Sequence, residues 1–215
     1  MYDAVLFDLD GTLVDTESVA LATGMIAFAA VGVPVTLRFL QSMVGKDHAA
    51  TRAVVAATHP DLDVVLLQQV WQQEFAASIA QDLRLKAGVI ALLDGIALPM
   101  AVVTSSRRTE ARAKVDTAGL APYFGLIVSV DDVTRAKPEP EPFLLAAQKL
   151  GVDPARCLVF EDSDTGAEAA HWAGCTVVQV PDMQPSTGPF AHYLAEDLLT
   201  GAHMAGLVLK AAVKS

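Results

Sequence analysis

The stretch VLFDLDGTLVDTE (residues 5–17) runs an apolar segment straight into four acids, Asp8, Asp10, Asp15 and Glu17. Two like charges about 4 Å apart repel by about 4 kcal/mol at an effective dielectric near 20. Carboxylates are gathered this closely where they share a cation. The stretch therefore reads as a buried strand whose end delivers acids that a divalent cation could hold together.

Outward from it, short runs rich in Val, Ile, Leu and Phe recur: AVLF (4–7), MAVVT (100–104), LIVSV (126–130), CLVF (157–160) and TVVQV (176–180). Helical stretches lie between the later ones, at Arg107–Ala118, Glu141–Leu150 and Thr165–Ala173. Continuous apolar strands separated by helices predict an α/β fold, a doubly wound parallel sheet covered on both faces. Ser163 or Asp164 is placed to cap the last of these helices, and Gly174 to end it.

More than 80 residues separate the first two strands, far more than one crossover needs. They read as helices only, over 17–31, 36–44, 48–58 and 63–82, with 88–95 returning to the sheet. The economical account is an all-helical insertion over 15–88 in a core formed by 1–14 and 89–215. PDMQPSTGP (181–189) reads as a Pro-rich loop before a final helical region.

Ligands of open parallel sheets bind beyond the carboxyl ends of the strands. That rule collects Asp8 and Asp10 after the first strand, Thr104, Ser105 and Ser106 after the second, Lys137 beyond the third, and Glu161 and Asp162 after the fourth. Carboxylates without His or Cys beside them suit Mg²⁺ far better than Zn²⁺. A hydroxyl and an ammonium can hold phosphoryl oxygens, and an aspartate can form an acyl phosphate. Singly, each residue has a structural reading: a turn or cap for Asp8, capping hydroxyls for 104–106, a solvated loop lysine for Lys137. Asp15 and Glu17 read as hinge and first-turn acids.

DLDGTLVDTE, VVTSS, KPEPEPF and FEDSDTGAEAAHWAG, in this order, resemble the four motifs of the haloacid dehalogenase superfamily. The chain is most similar to its phosphatase and β-phosphoglucomutase-like branch, with a Rossmann-like core and a helical cap after the first strand. The resemblance implies Asp8 as nucleophile and metal ligand. It implies Asp10 as general acid and base, with its backbone carbonyl on Mg²⁺. It further implies Thr104 and Ser105 as phosphoryl-binding residues, Lys137 as the lysine steadying nucleophile and phosphate, and Glu161 and Asp162 as metal ligands. Dehalogenase members lack the second acid, so Asp10 points to a phosphatase acting on a small phosphorylated metabolite such as a sugar or polyol phosphate. A phosphosugar mutase is the alternative. Mutase members carry a histidine on the helix after the first motif, where this chain has Ser18–Val19–Ala20–Leu21. The loop SMVGKDHAATR (42–52) is expected to bring Lys46 and His48 to the substrate.

Composition narrows the partners. The 215 residues are 53% hydrophobic and 19% charged, with a formal charge of −10. That acidity argues against nucleic-acid backbones and anionic membranes. Residues 18–37 hold no charge and are long enough to span a bilayer, but Gly32 and Pro34 predict a helix stop inside them. Cys157 and Cys175 form no C-x-x-C motif and read as buried free thiols of a reducing cytosol. Asp3 and the lack of a basic leader argue against a signal peptide. No G-x-G-x-x-G follows the first strand, which excludes a dinucleotide fingerprint there.

Overall fold

The computed structural model describes residues 1–43 and 48–210, leaving aside the side chains of 48–50. In chain order these form β1 (Ala4–Phe7), α1 (Thr16–Ala30), α2 (Leu37–Gln41), α3 (His48–Thr58), α4 (Val64–Gln81), α5 (Val89–Gly95) and β2 (Met100–Val103). Then follow α6 (Arg108–Thr117), β3 (Leu126–Val128), α7 (Glu141–Leu150), β4 (Cys157–Glu161), α8 (Asp164–Trp172), β5 (Thr176–Gln179), β6 (Tyr193–Leu194) and α9 (Leu198–Met204).

The strands make one parallel sheet in the order β3-β2-β1-β4-β5-β6, with β1 central: Leu6 lies beside Ala101 on one side and Val159 on the other. Alternate residues supply two cores. On one face Leu6, Ala101, Val103 and Val159 are buried with Phe143, Ala146 and Ala147 of α7 and Ala167 and Ala170 of α8. On the other, the Phe7 and Phe160 rings stack at 5.1 Å, and α9 passes so close that a Cβ on Gly201 would press on Val178. Both faces of each strand are thus apolar, which is why these runs do not alternate. The sixth strand lies where the sequence predicts loop and helix; two residues are too few to carry a period.

The chain divides into two compact units, Thr16–Leu83 and the remainder, Met1–Asp15 with the segment from Arg84 onward. The returning segment joins the sheet unit for a local reason. Asp15 N–H donates to Arg84 O at 2.9 Å, Lys86 N–H to Leu13 O at 3.0 Å, and Val14 pairs antiparallel with Leu85. Within the helical unit, Trp71 of α4 donates its indole N–H to Ala20 O of α1 at 3.1 Å, and Phe28 meets Phe39 and Trp71 edge to face. The uncharged stretch from Ser18 becomes part of α1, which stops at Ala30 before Gly32. Among the described residues no helix is long and apolar enough to cross a membrane. Cys157 and Cys175 are free and buried.

Candidate active site

Asp8 follows β1 directly, and its N–H continues the ladder to Phe160 O at 2.9 Å. The side chain is thereby fixed at the carboxyl edge of the central strand, 7% exposed. Lys137, on the loop before α7, reaches it from beyond β3. Its Nζ donates to Asp8 Oδ1 at 2.6 Å, to Glu161 Oε1 at 2.5 Å and to Val103 O at 2.8 Å. All three protons of the ammonium are used, and the Phe143 ring lies 5.1 Å below it. The Lys137–Pro138 peptide is cis.

Electrostatics follow from that burial. Burial is the main cause that raises the Asp8 carboxyl to about 7; Lys137 opposes the rise, while Glu161 and Asp10 add to it. Burial alone would lower Lys137, but Asp8 and Glu161 outweigh it and raise the lysine above its ordinary range. The ammonium therefore stays charged beside a carboxylate pair that repels itself.

Asp8, Glu161 and Asp162 bring carboxylate oxygens within 4.8 Å of one another, a donor set of hard oxygens that can hold a divalent cation. Two glycines make room for it. Gly11 has φ +85°, and a Cβ there would run into the Asp162 carboxylate, which also accepts from Thr12 Oγ1 at 3.4 Å. Glu161 is the more committed acid. It is fully buried, gives Oε1 to Lys137, and accepts from Ser163 Oγ on Oε2 at 3.1 Å. A Cβ on Gly166, in the first turn of α8, would collide with this carboxylate. Glu161 cannot swing away without abandoning Lys137. Gly166→Ala should therefore destabilise by about 1–3 kcal/mol through overpacking, although alanine is the better helix former by roughly 1 kcal/mol. A melting curve should shift down by roughly 2–10 °C; an upward shift would refute the crowding.

Thr104 is buried just after β2, and its Oγ1 accepts from Ser106 N at 3.0 Å. Ser105 beside it is exposed. Asp10 is held on both oxygens: Ser106 Oγ donates to Oδ2 at 2.7 Å and Lys114 Nζ to Oδ1 at 2.6 Å. Asp8, Asp10, Thr104, Lys137, Glu161 and Asp162 thus come from the ends of β1, β2 and β4 and the segment after β3 to one cluster at the carboxyl edge of the sheet. Glu17 sits in the first turn of α1. Lys46 and the side chain of His48 lie outside the described residues.

Sequence reasoning missed Lys114 and left Ser106 without a role. A signal was present. The buried residues of α6 are Ala111, Lys114 and Val115, an i, i+3, i+4 stripe on which a lysine is out of place.

The sequence and the fold have known counterparts. Residues 2–174 match the family model of haloacid dehalogenase-like hydrolases. The chain is 33% identical to the fructose-1-phosphate phosphatase YqaB of Escherichia coli, over 83% of this chain and 96% of that protein. It is also 33% identical to the hexitol phosphatase A of that organism, over 81% of each. A crystal structure of a putative β-phosphoglucomutase from Thermotoga maritima superposes with a TM-score of 0.83 at 25% identity, covering 96% of this chain and 100% of that one. The chain belongs to the haloacid dehalogenase-like hydrolases, in the branch of the phosphatases and β-phosphoglucomutase-like proteins. Within that family it is a phosphoric monoester hydrolase.

Proposed function

We propose that the protein is a Mg²⁺-dependent phosphatase of a small sugar or polyol phosphate, working through a phospho-aspartate on Asp8. The observation that carries this reading is the pairing of Asp8 with Lys137 at 2.6 Å while a second acid, Asp10, stands two residues on and is held by different partners. One carboxylate is positioned by a cation at the metal-binding acids; the other is kept apart for proton transfer. The names of the two Escherichia coli relatives support the substrate class.

In this reading an Asp8 oxygen attacks phosphorus and the ester oxygen departs with a proton from Asp10. Asp10 then takes a proton from water, the water oxygen attacks phospho-Asp8, and inorganic phosphate leaves with Asp8 regenerated. Thr104 and Ser105 hold the phosphoryl oxygens, while Lys137 keeps its bond to Asp8 and adds positive charge beside the phosphoryl group. Asp8, Asp162 and the Asp10 carbonyl, with Glu161 alongside, would hold Mg²⁺, which would supply positive charge to the phosphoryl group. The likeness to a β-phosphoglucomutase structure favours a second reading, a phosphosugar mutase. Ala20 counts against it, since it offers Asp10 no side-chain hydrogen bond to protect the phosphoenzyme from water.

Phosphate release should be measured with fructose 1-phosphate, sorbitol 6-phosphate, glucose 6-phosphate and nucleoside monophosphates, with Mg²⁺ and after exhaustive chelation. Turnover of a sugar or polyol phosphate that chelation removes is the expected result. Undiminished activity without metal would overturn the metal assignment. Incubation with β-glucose 1-phosphate and a trace of the 1,6-bisphosphate separates the two readings: glucose 6-phosphate forming faster than inorganic phosphate would make the protein a mutase.

A further inference from the structure

We propose that Lys114, directly and through Ser106, is a positioning residue for Asp10 that sets the direction of its proton transfer. The inference rests on the acid/base role given to Asp10 above. Helix α6 is otherwise a polar surface helix, with Arg108, Glu110 and Arg112 exposed. Lys114 alone among its charged residues is buried, at 7% exposure, on the face that also carries Ala111 and Val115. For packing alone an apolar side chain would serve better there, because an ammonium must be desolvated to occupy such a place.

What Lys114 gains is a closed ring. Its Nζ donates to Asp10 Oδ1 at 2.6 Å and to Ser106 Oγ at 2.9 Å, and Ser106 Oγ in turn lies 2.7 Å from Asp10 Oδ2. An ammonium can only donate. The Ser106 oxygen must therefore accept from Lys114, which turns its own proton toward Asp10. Both carboxylate oxygens are anchored, and the rotation of the Asp10 side chain is fixed. The ring also assigns Asp10 a cation of its own. Lys137 is fully occupied by Asp8, Glu161 and Val103, so the nucleophile and the acid/base do not compete for one ammonium. Ser106 is fixed in turn by the strand end, since its N–H donates to Thr104 Oγ1.

A misplaced acid matters most when the leaving oxygen needs a proton. The test compares kcat/KM, which reports the step forming phospho-Asp8, on two probes. Fructose 1-phosphate, or whichever alkyl monoester of the panel the wild type turns over best, has a poor leaving group; p-nitrophenyl phosphate has a good one. Lys114→Met should lose roughly tenfold or more on the alkyl ester and under about threefold on the aryl ester, a fraction of what general acid catalysis contributes. Its melting temperature should fall less than for a fully buried pair, since the Asp10 side chain it leaves is 30% exposed. Lys114→Arg should recover most of the alkyl activity, and Ser106→Ala should show the same selectivity in weaker form. Ser106→Ala decides the matter should Lys114→Met fail to fold. Equal losses on both esters, or no loss on the alkyl ester, would overturn the inference. Asp10→Asn separates this from the reading beneath it. If Asp10→Asn itself lacks the selective loss, the acid/base role falls; if it shows the loss while the Lys114 and Ser106 variants do not, only the positioning role falls.

Discussion

Replacing Asp8 with Asn should remove turnover and leave the fold intact. Asn has nearly the same shape, and Lys137 keeps its bonds to Glu161 and Val103, so no buried cation is orphaned. Hydrolysis of phosphate monoesters without a catalyst is among the slowest reactions known. Losing the covalent route should cost at least about 10⁴-fold, read as initial phosphate release. A rate within about tenfold of wild type, in a preparation free of other phosphatases, would sink the nucleophile assignment.

The same variant should be more stable than wild type when metal is absent. Burial raises Asp8 from 3.8 to about 7, so the folded protein binds this proton more tightly than the unfolded chain does. By linkage the contribution of Asp8 to stability is greatest below about pH 4 and is lost as pH rises through about 7. Asn carries no charge to desolvate. The metal-free melting temperature of Asp8→Asn should therefore exceed that of wild type at pH 8 and converge with it toward pH 4. A lower value at pH 8 would mean that Lys137 more than offsets the burial of the charge.

Lys137→Met should damage both stability and turnover. The ammonium, with a side chain 4% exposed, is the common partner of Asp8 and of the fully buried Glu161. Removing it leaves two carboxylates facing one another without a cation. Breaking a buried pair by deleting one member costs about 3–5 kcal/mol, or roughly 6–20 °C in a chain of this size. Turnover should fall by about 10²-fold or more, because the cation paired with the proposed nucleophile Asp8 is lost. Adding Glu161→Gln should return part of the stability, because the two residues share one contact and cannot contribute additively. A single variant that melts within about 2 °C of wild type would show that the trio is not a unit.

How much of this was legible beforehand differs by element. β1 to β5 are readable because each is a continuous apolar run flanked by helical periods, and the strand-end rule then names Asp8, Asp10, Thr104, Lys137, Glu161 and Asp162 without coordinates. β6 is not readable, since Tyr193 and Leu194 gain their strand geometry only from lying beside Val178 and Gln179. The limits of the helical unit are not set by composition, because Arg84 and Lys86 join the sheet unit through hydrogen bonds with Asp15 and Leu13.

Charge type and spacing by themselves determined that acids cluster at a strand end and suit a hard cation, and the motif resemblance added the phosphate ester as substrate class. The resemblance already assigned Lys137 to Asp8, but that Lys114 serves Asp10 was decided by the tertiary structure alone. Lys137 pairs with Asp8 across 129 positions, and Lys114 with Asp10 across 104. Local sequence cannot encode such a choice. It depends on which strand edge each helix and loop is packed against, and on which lysine the packing has stripped of water.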